Sequence, residues 1–316
     1  MSKATRQAFG EALAKLGESH SEIVVLDADL AKSTKSEIFA KKFPDRFFEM
    51  GIQEANMIGV AAGLSFTGKL PFLCSFGCFI TGRYDTIRLS VAYSGANVRL
   101  IGTHAGVGIG DDGHSQMGLE DVALMRALPT MGVFQPMDAK ETDLVMKHLV
   151  KEWKGPAYLR LTRQNLPDLL TDEGSWRAGK LHEVRPFSKS LPRQQRVLFI
   201  GSGAGTAEAV QARDLLAAQA HLDVSVWNAH CLKPFDEETL AQLSAQAAWI
   251  VTVEDHSVIG GLGSCVADAL AKTGGSRLLK IGVEDQFGES GEPAELFDKF
   301  GLSAQKIAAR VLETCK

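Results

Sequence analysis

The chain has 316 residues, 45% hydrophobic and 23% charged, an ordinary globular balance whose length favours two domains. A formal net charge of -4 offers nothing to neutralise a phosphate backbone over many contacts, which argues against a nucleic-acid partner. The opening residues Met1 to Arg6 lack an apolar signal core, and no apolar run approaches the roughly 18 residues of a membrane span; a soluble, cytoplasmic protein with no membrane partner is expected.

From position 5 the spacing predicts a helix with Phe9, Leu13 and Leu16 on one stripe. Short apolar runs then predict strands at 23–26, 70–75, 98–102, 132–135 and 157–161, separated by helical patterns at 54–66, 79–93, 119–128 and 138–150. Positions 167–195 carry three prolines, several charges and no sustained period, the mark of an interdomain linker. The pattern then restarts, with strands at 197–200, 224–227, 250–253 and 278–283 and helices near 204–218, 236–245, 261–272 and 303–313. Strands followed by crossover helices predict parallel sheets in an α/β protein of two domains, 1–166 and a smaller 196–316. The five cysteines, Cys74, Cys78, Cys231, Cys265 and Cys315, are odd in number and scattered, which reads as buried thiols rather than a disulfide framework. Cys74 and Cys78 lack a second Cys or His pair nearby, so no metal site is expected in this chain.

Tandem α/β domains serve many functions, and the chemistry must be read from particular residues. Glu54, in the stretch GIQEANMIGVAAGL, opens a predicted helix rich in Ala and Gly. An acidic residue in a first helical turn is an ordinary partner for the positive helix end, but the apolar, small-residue flanks argue against a solvated cap. Phe76 and Phe79 stand three apart beyond a strand, a spacing that suits core packing as well as a ligand wall. The stretch GTHAGVGIGDDGHSQMGLED, at 102–121, leaves the carboxyl end of a strand as a glycine-rich polar loop, where α/β sheets place ligands. Arg163, in RLTRQNL, follows the last strand of the first half, and a guanidinium fork suits phosphate oxygens. Arg160 is its decoy. Ser33, in DLAKST, is either a polar ligand or a cap for a helix at Glu37 and Ile38. In the second half, GSGAG after a strand is too weak a signal for a nucleotide site.

These stretches together resemble the C-terminal half of transketolases over nearly the whole chain. GIQEANMIGVAAGL is similar to the segment whose glutamate contacts the aminopyrimidine of thiamine diphosphate, and the likeness makes Glu54 the activator. A carboxyl there can share a proton with a ring nitrogen, favouring the tautomer whose neighbouring nitrogen deprotonates the thiazolium carbon. The likeness makes Phe76 and Phe79 the aromatic wall around the pyrimidine; a third aromatic of many microbial members is replaced by Gly82. The glycine-rich loop resembles the animal-type pattern THxGVxxGEDGPSQMxLED, which implies that His104 contacts the sugar phosphate end or its hydroxyls and Asp112 a hydroxyl near the reacting carbon. Gln116 stands where bacterial and yeast members have a histidine. It can orient a ketol oxygen but transfers no proton near neutral pH. His114 replaces a proline. The resemblance further assigns Arg163 and Ser33 to the substrate phosphate, and VTVEDH with the following GGLG to the transketolase C-terminal domain, which serves assembly.

The family also grips the coenzyme's diphosphate through Mg2+ (or Ca2+) held by Gly-Asp-Gly and a later Asn. The only similar string here, Gly110-Asp111-Asp112-Gly113, belongs to the substrate loop. The expectation is therefore the C-terminal subunit of a split transketolase of the pentose phosphate pathway, active with an N-terminal partner chain in an α2β2 heterotetramer on sugar phosphates. Alternatives are the β subunit of a 2-oxo-acid dehydrogenase and a catalytically silent regulatory subunit. A deoxyxylulose phosphate synthase is disfavoured, being normally one chain with a histidine at the Gln116 position.

Overall fold

The structure, a computed structural model, describes residues 2–219 and 221–315. Apolar runs without polar alternation become strands covered on both faces: Ile23–Asp27, Leu70–Phe76 and Arg99–Thr103 are buried along their whole length. They form the middle of a seven-stranded sheet ordered Cys231–Lys233, Gly132–Phe134, Ala157–Arg160, Arg99–Thr103, Leu70–Phe76, Ile23–Asp27, Phe47–Glu49. Every pairing in it is parallel except that of Cys231–Lys233, which runs antiparallel to Gly132–Phe134. A second sheet is ordered Arg277–Val283, Trp249–Ser257, Arg196–Ser202, Asp223–Asn228, His182–Arg185, parallel except at its last strand. The α/β class expected from the alternation holds.

Three apolar clusters bind these layers. Phe9, Leu13 and Leu16 on the opening helix Thr5–Leu16 pack with Phe72, Ile101 and Leu159 on one face of the first sheet. The other face shares a cluster with the second sheet, where Met57, Leu73 and Val122 join Ile200, Leu262 and Val266. A third cluster lies on the far side of the second sheet and takes in Val107, Ile109, Met117 and Leu119 from the glycine-rich loop. Burying one such side chain contributes about 1.5–3 kcal/mol, so this loop is fastened to the second half of the chain.

The stretch 167–195, expected to be a linker, is partly structured: its beginning pairs with the N-terminus through Asn165–Pro167 and Ser2–Ala4, and His182–Arg185 joins the second sheet. The helix expected over 79–93 is broken into Gly77–Thr81, Tyr84–Thr86 and a wider-turned π-helical segment, Ile87–Tyr93. A Cβ at Gly82 would stand 2.9 Å from the Cys78 carbonyl, so the backbone pinches there before the helix restarts. All five cysteines are free thiols, four of them buried. Among the described residues no helix is long and apolar enough to cross a membrane.

Candidate active site

The residues singled out above lie at or beyond the carboxyl ends of the parallel strands of the first sheet, where such sheets open a crevice. Glu54 is the first residue of the helix Glu54–Ser65, which follows Phe47–Glu49. It is 4% exposed, so it does not act as a solvated charge at a helix end. The Ser75 hydroxyl donates to its Oε1 at 3.3 Å. The next residue, Phe76, ends its strand, and its ring stacks on Phe79 at 5.4 Å between centroids and 15° between planes. Phe76 is buried and Phe79 half-buried. The other neighbour of Phe76 is the His104 imidazole, stacked at 3.9 Å and 25°.

His104 has a left-handed backbone, φ 58°, a conformation of order 1 kcal/mol or more above the allowed regions for such a residue. Its ring is fixed from both sides. Arg6 Nη1, which can only donate, lies 2.8 Å from Nε2; Nε2 therefore accepts, and the proton sits on Nδ1, 2.8 Å from the Thr103 hydroxyl. Burial, helped by the charges of Arg6, Arg163 and Lys35, pushes His104 down to about 3. The imidazole is neutral at physiological pH.

Arg6 is the site residue that sequence reasoning missed. Besides His104 it donates to the Ser33 carbonyl at 2.7 Å, and its buried Nε has no hydrogen-bond partner. Burial first, and then the nearby Arg163, hold its pKa below the ordinary value. Arg163 donates through Nη1 to the Ile109 carbonyl and, at 2.8 Å, to Asp111 Oδ1, with Asp112 Oδ2 3.9 Å away. The hydrogen bond to Asp111 is the largest of the contacts raising Arg163. Both guanidiniums line a cleft of about 400 Å³ with Asp111, Gln164 and Glu292. A lone arginine in the first turn of an opening helix carries no spacing signal; only the fold brings it to Arg163.

Ser33 reaches this cluster by its backbone carbonyl, within the short helix Ala31–Thr34. It does not cap the helix Glu37–Lys42, whose N-cap position is Ser36, without a side-chain cap bond. The loop 106–118 turns through left-handed glycines at Gly106, Gly110 and Gly113. Asp112 is exposed, the Gln116 carbonyl accepts from Cys78 Sγ at 3.1 Å, and the His114 ring lies 6.5 Å from that of Phe287. Arg160, the decoy, is 1% exposed and bound to Asp121, to the Gly118 carbonyl and to the Asp255 carbonyl. Among the described residues no group of three or more His, Cys, Asp or Glu side chains could hold a metal ion.

The two sheets define a protein of the thiamine-enzyme class of α/β folds. Residues 1–168 match the family described as the transketolase pyrimidine binding domain, and residues 189–307 the transketolase C-terminal domain. The chain belongs to the transketolase family. It is 40% identical over 318 aligned residues to a protein of Methanocaldococcus jannaschii provisionally named as a transketolase C-terminal section, covering 99% of this chain and 97% of that one. It is 36% identical to a 6-deoxy-6-sulfo-D-fructose transketolase subunit of Clostridium sp., over 96% of this chain and 91% of that one. Against the transketolase of Homo sapiens it is 37% identical over 98% of its own length but spans only 48% of the human protein. A solved split-gene transketolase, described as an inactive β4 tetramer, superposes with a TM-score of 0.87 at 40% identity, covering 100% of this chain and 99% of that one.

Proposed function

We propose that this chain is the C-terminal subunit of a two-chain transketolase that moves a two-carbon ketol unit from a phosphorylated ketose to an aldose. The observation that carries this reading is the pair Arg6 and Arg163, lining one cleft, with a buried Arg6 Nε that lacks a partner. Two guanidiniums that repel each other make a receptor for a tetrahedral anion with several oxygens. His104 joins this receptor to Phe76, and through it to the ring pair and carboxyl where a coenzyme would sit.

The residues at that end fit an aminopyrimidine, with a buried carboxyl for its edge and stacked rings for its face. Thiamine diphosphate, when bound, supplies a nucleophilic carbon and stores the electron pair of the broken carbon–carbon bond. Glu54 would hold a proton at the ring edge, and Phe76 and Phe79 would exclude water from the ring. His104, with Nε2 accepting from Arg6, would orient the phosphate end rather than shuttle protons. Asp112 would accept from a substrate hydroxyl, and Gln116 would orient the ketol oxygen without transferring a proton.

The diphosphate and its Mg2+ or Ca2+ need carboxylate and carbonyl oxygens, assigned here to a partner chain carrying Gly-Asp-Gly and a following Asn. Beside Glu54, the outward face of the helix Glu54–Ser65 carries Ala55, Asn56, Gly59, Val60 and Gly63, all exposed, and no atom lies within 4 Å of a Cβ built on Gly59 or Gly63. The helix packs against Ile87–Tyr93, which exposes Leu89 and Tyr93. Small residues and exposed apolar side chains together suit close approach of another chain. A relative of the same length described as an inactive β4 assembly supports the same requirement, and an α2β2 heterotetramer in the cytoplasm is the arrangement proposed. The β subunit of a 2-oxo-acid dehydrogenase would have no use for the paired arginines. A silent subunit would have no use for the carboxyl and its ring pair.

Xylulose 5-phosphate and ribose 5-phosphate, substrates of the pentose phosphate pathway, are the default pair. The Clostridium relative's name points to a sulfonated sugar as a second substrate class, and the arginine pair would accept a sulfonate as well. The test is reconstitution: this chain mixed with a partner carrying the metal motif, assayed for ketol transfer with both donors and for turnover of pyruvate. Transfer by the mixture and none by either chain alone is expected. Turnover by this chain alone, or of pyruvate only, would sink the reading.

A further inference from the structure

We propose that Asp255, in the second domain, is a positioning residue for the loop that carries the substrate contacts, an inference that rests on the ketol-transfer reading above. Asp255 lies on the strand Trp249–Ser257 and is 1% exposed. Its carboxylate accepts from the backbone N–H groups of Val107 at 2.8 Å and Gly108 at 3.4 Å, in the segment between His104 and Asp112. Gly106, immediately before them, has φ 87°, and a Cβ on it would collide with the Asp255 carboxylate. The acid and the glycine therefore fit only as a pair.

The same contact extends to the far end of the loop. Arg160 Nη2 donates at 2.8 Å both to the Asp255 carbonyl and to the Gly118 carbonyl, and the Ser257 N–H donates at 2.8 Å to the Leu119 carbonyl. Between these points Val107, Ile109, Met117 and Leu119 are buried in the cluster of the second sheet. The next link reaches substrate: the Ile109 carbonyl, one residue past Gly108, accepts from Arg163 Nη1. Moving the turn at Val107–Ile109 therefore moves the guanidinium proposed to hold the sugar's anion.

A buried carboxylate is a poor adhesive between domains, because apolar side chains of similar volume commonly stabilise as well. What it adds is direction, since it accepts only where the two N–H groups point. The second domain would thus act on substrate affinity, with the coenzyme end untouched.

The experiment compares wild type, Asp255→Asn and Asp255→Ala, with Trp176→Phe as a control that removes a buried-carboxylate hydrogen bond elsewhere, from Trp176 Nε1 in the connecting stretch to Glu141 of the first domain at 3.0 Å. In the full chain, amide hydrogen exchange of the segment 104–118 should quicken about tenfold or more in both Asp255 variants, because two backbone hydrogen bonds to a buried acceptor are weakened or lost. In the reconstituted complex KM for the sugar phosphate should rise by a similar factor of about ten, with kcat and thiamine diphosphate affinity near wild type. Trp176→Phe should lower the melting temperature and leave both readouts unchanged. If Asp255→Asn folds with wild-type loop exchange and wild-type KM, or if Trp176→Phe alters them equally, the proposal fails. A wild-type complex that transfers no ketol unit would overturn the functional reading instead, and loop exchange would still decide this one.

Discussion

The two ends of the crevice are built differently. At the end proposed for the sugar each cation is already held by this chain: Arg6 by the Ser33 carbonyl and His104, Arg163 by the Ile109 carbonyl and Asp111. At the end proposed for the coenzyme a buried carboxyl and a stacked ring pair adjoin a helix whose outer face is open to solvent. Recognition of the sugar's terminal anion would then be local to the chain, while the bond-breaking chemistry would be shared with another polypeptide.

The sharpest way to break this comparison is Glu54→Gln in the assembled complex. An amide cannot hold or pass the proton, and kcat should fall by about 10²–10⁴-fold with little change in KM for sugar. A rate near wild type would return the silent-subunit reading. At the opposite end, Arg6→Gln or Arg163→Gln should raise KM for a phosphorylated donor by about 10–100-fold, the loss expected for a hydrogen bond to a charged group. kcat should stay near wild type, and a donor without the phosphate should not register the change. Equal losses with both donors would mean that the arginines do not read the anion.

The smallest effect tests how the sugar end keeps its shape. Asp27, wholly buried, accepts from the Leu30 N–H and from the Thr34 and Ser36 hydroxyls at 2.7–2.8 Å, bracketing the turn that presents Ser33. Burial pushes it up to about 6, against the pull of those bonds. A group raised in the folded chain contributes stability fully present below its ordinary value near 4 and lost as pH rises through about 6. The melting temperature of wild type relative to Asp27→Asn should therefore drop between pH 4 and 7, by about 2–4 °C for each kcal/mol. A constant gap across that range would remove Asp27 as the titrating group.

Much of the scaffold was legible because apolar runs such as 23–26 and 70–75 are long enough to mark strands buried on both faces. Five short strands were not. Ser2–Ala4, Phe47–Glu49, Asn165–Pro167, His182–Arg185 and Cys231–Lys233 have three or four residues each, and their pairing is decided by neighbours distant in sequence. The helix break at Gly82 was hidden because one glycine in an apolar helical pattern is tolerated as often as it interrupts. For the site, Glu54, Phe76, Phe79, His104, Asp112, Gln116 and Arg163 sit in unusual local strings that drew notice. Arg6 sits in none, and its position depends on the opening helix lying beside the turn at Ser33. Asp255 had a motif but no role, because its partners Val107 and Gly108 are nearly half the chain away.

The strand Cys231–Lys233, lent by the second half to the margin of the first sheet, means that the halves cannot be divided cleanly. A fragment ending before it would leave Gly132–Phe134 with unpaired backbone groups along a raw edge, the kind of surface that recruits foreign strands. Gene fusion or fission in this lineage should therefore fall outside the pair rather than between its members, and a protease cutting near 190 should yield two pieces that stay together.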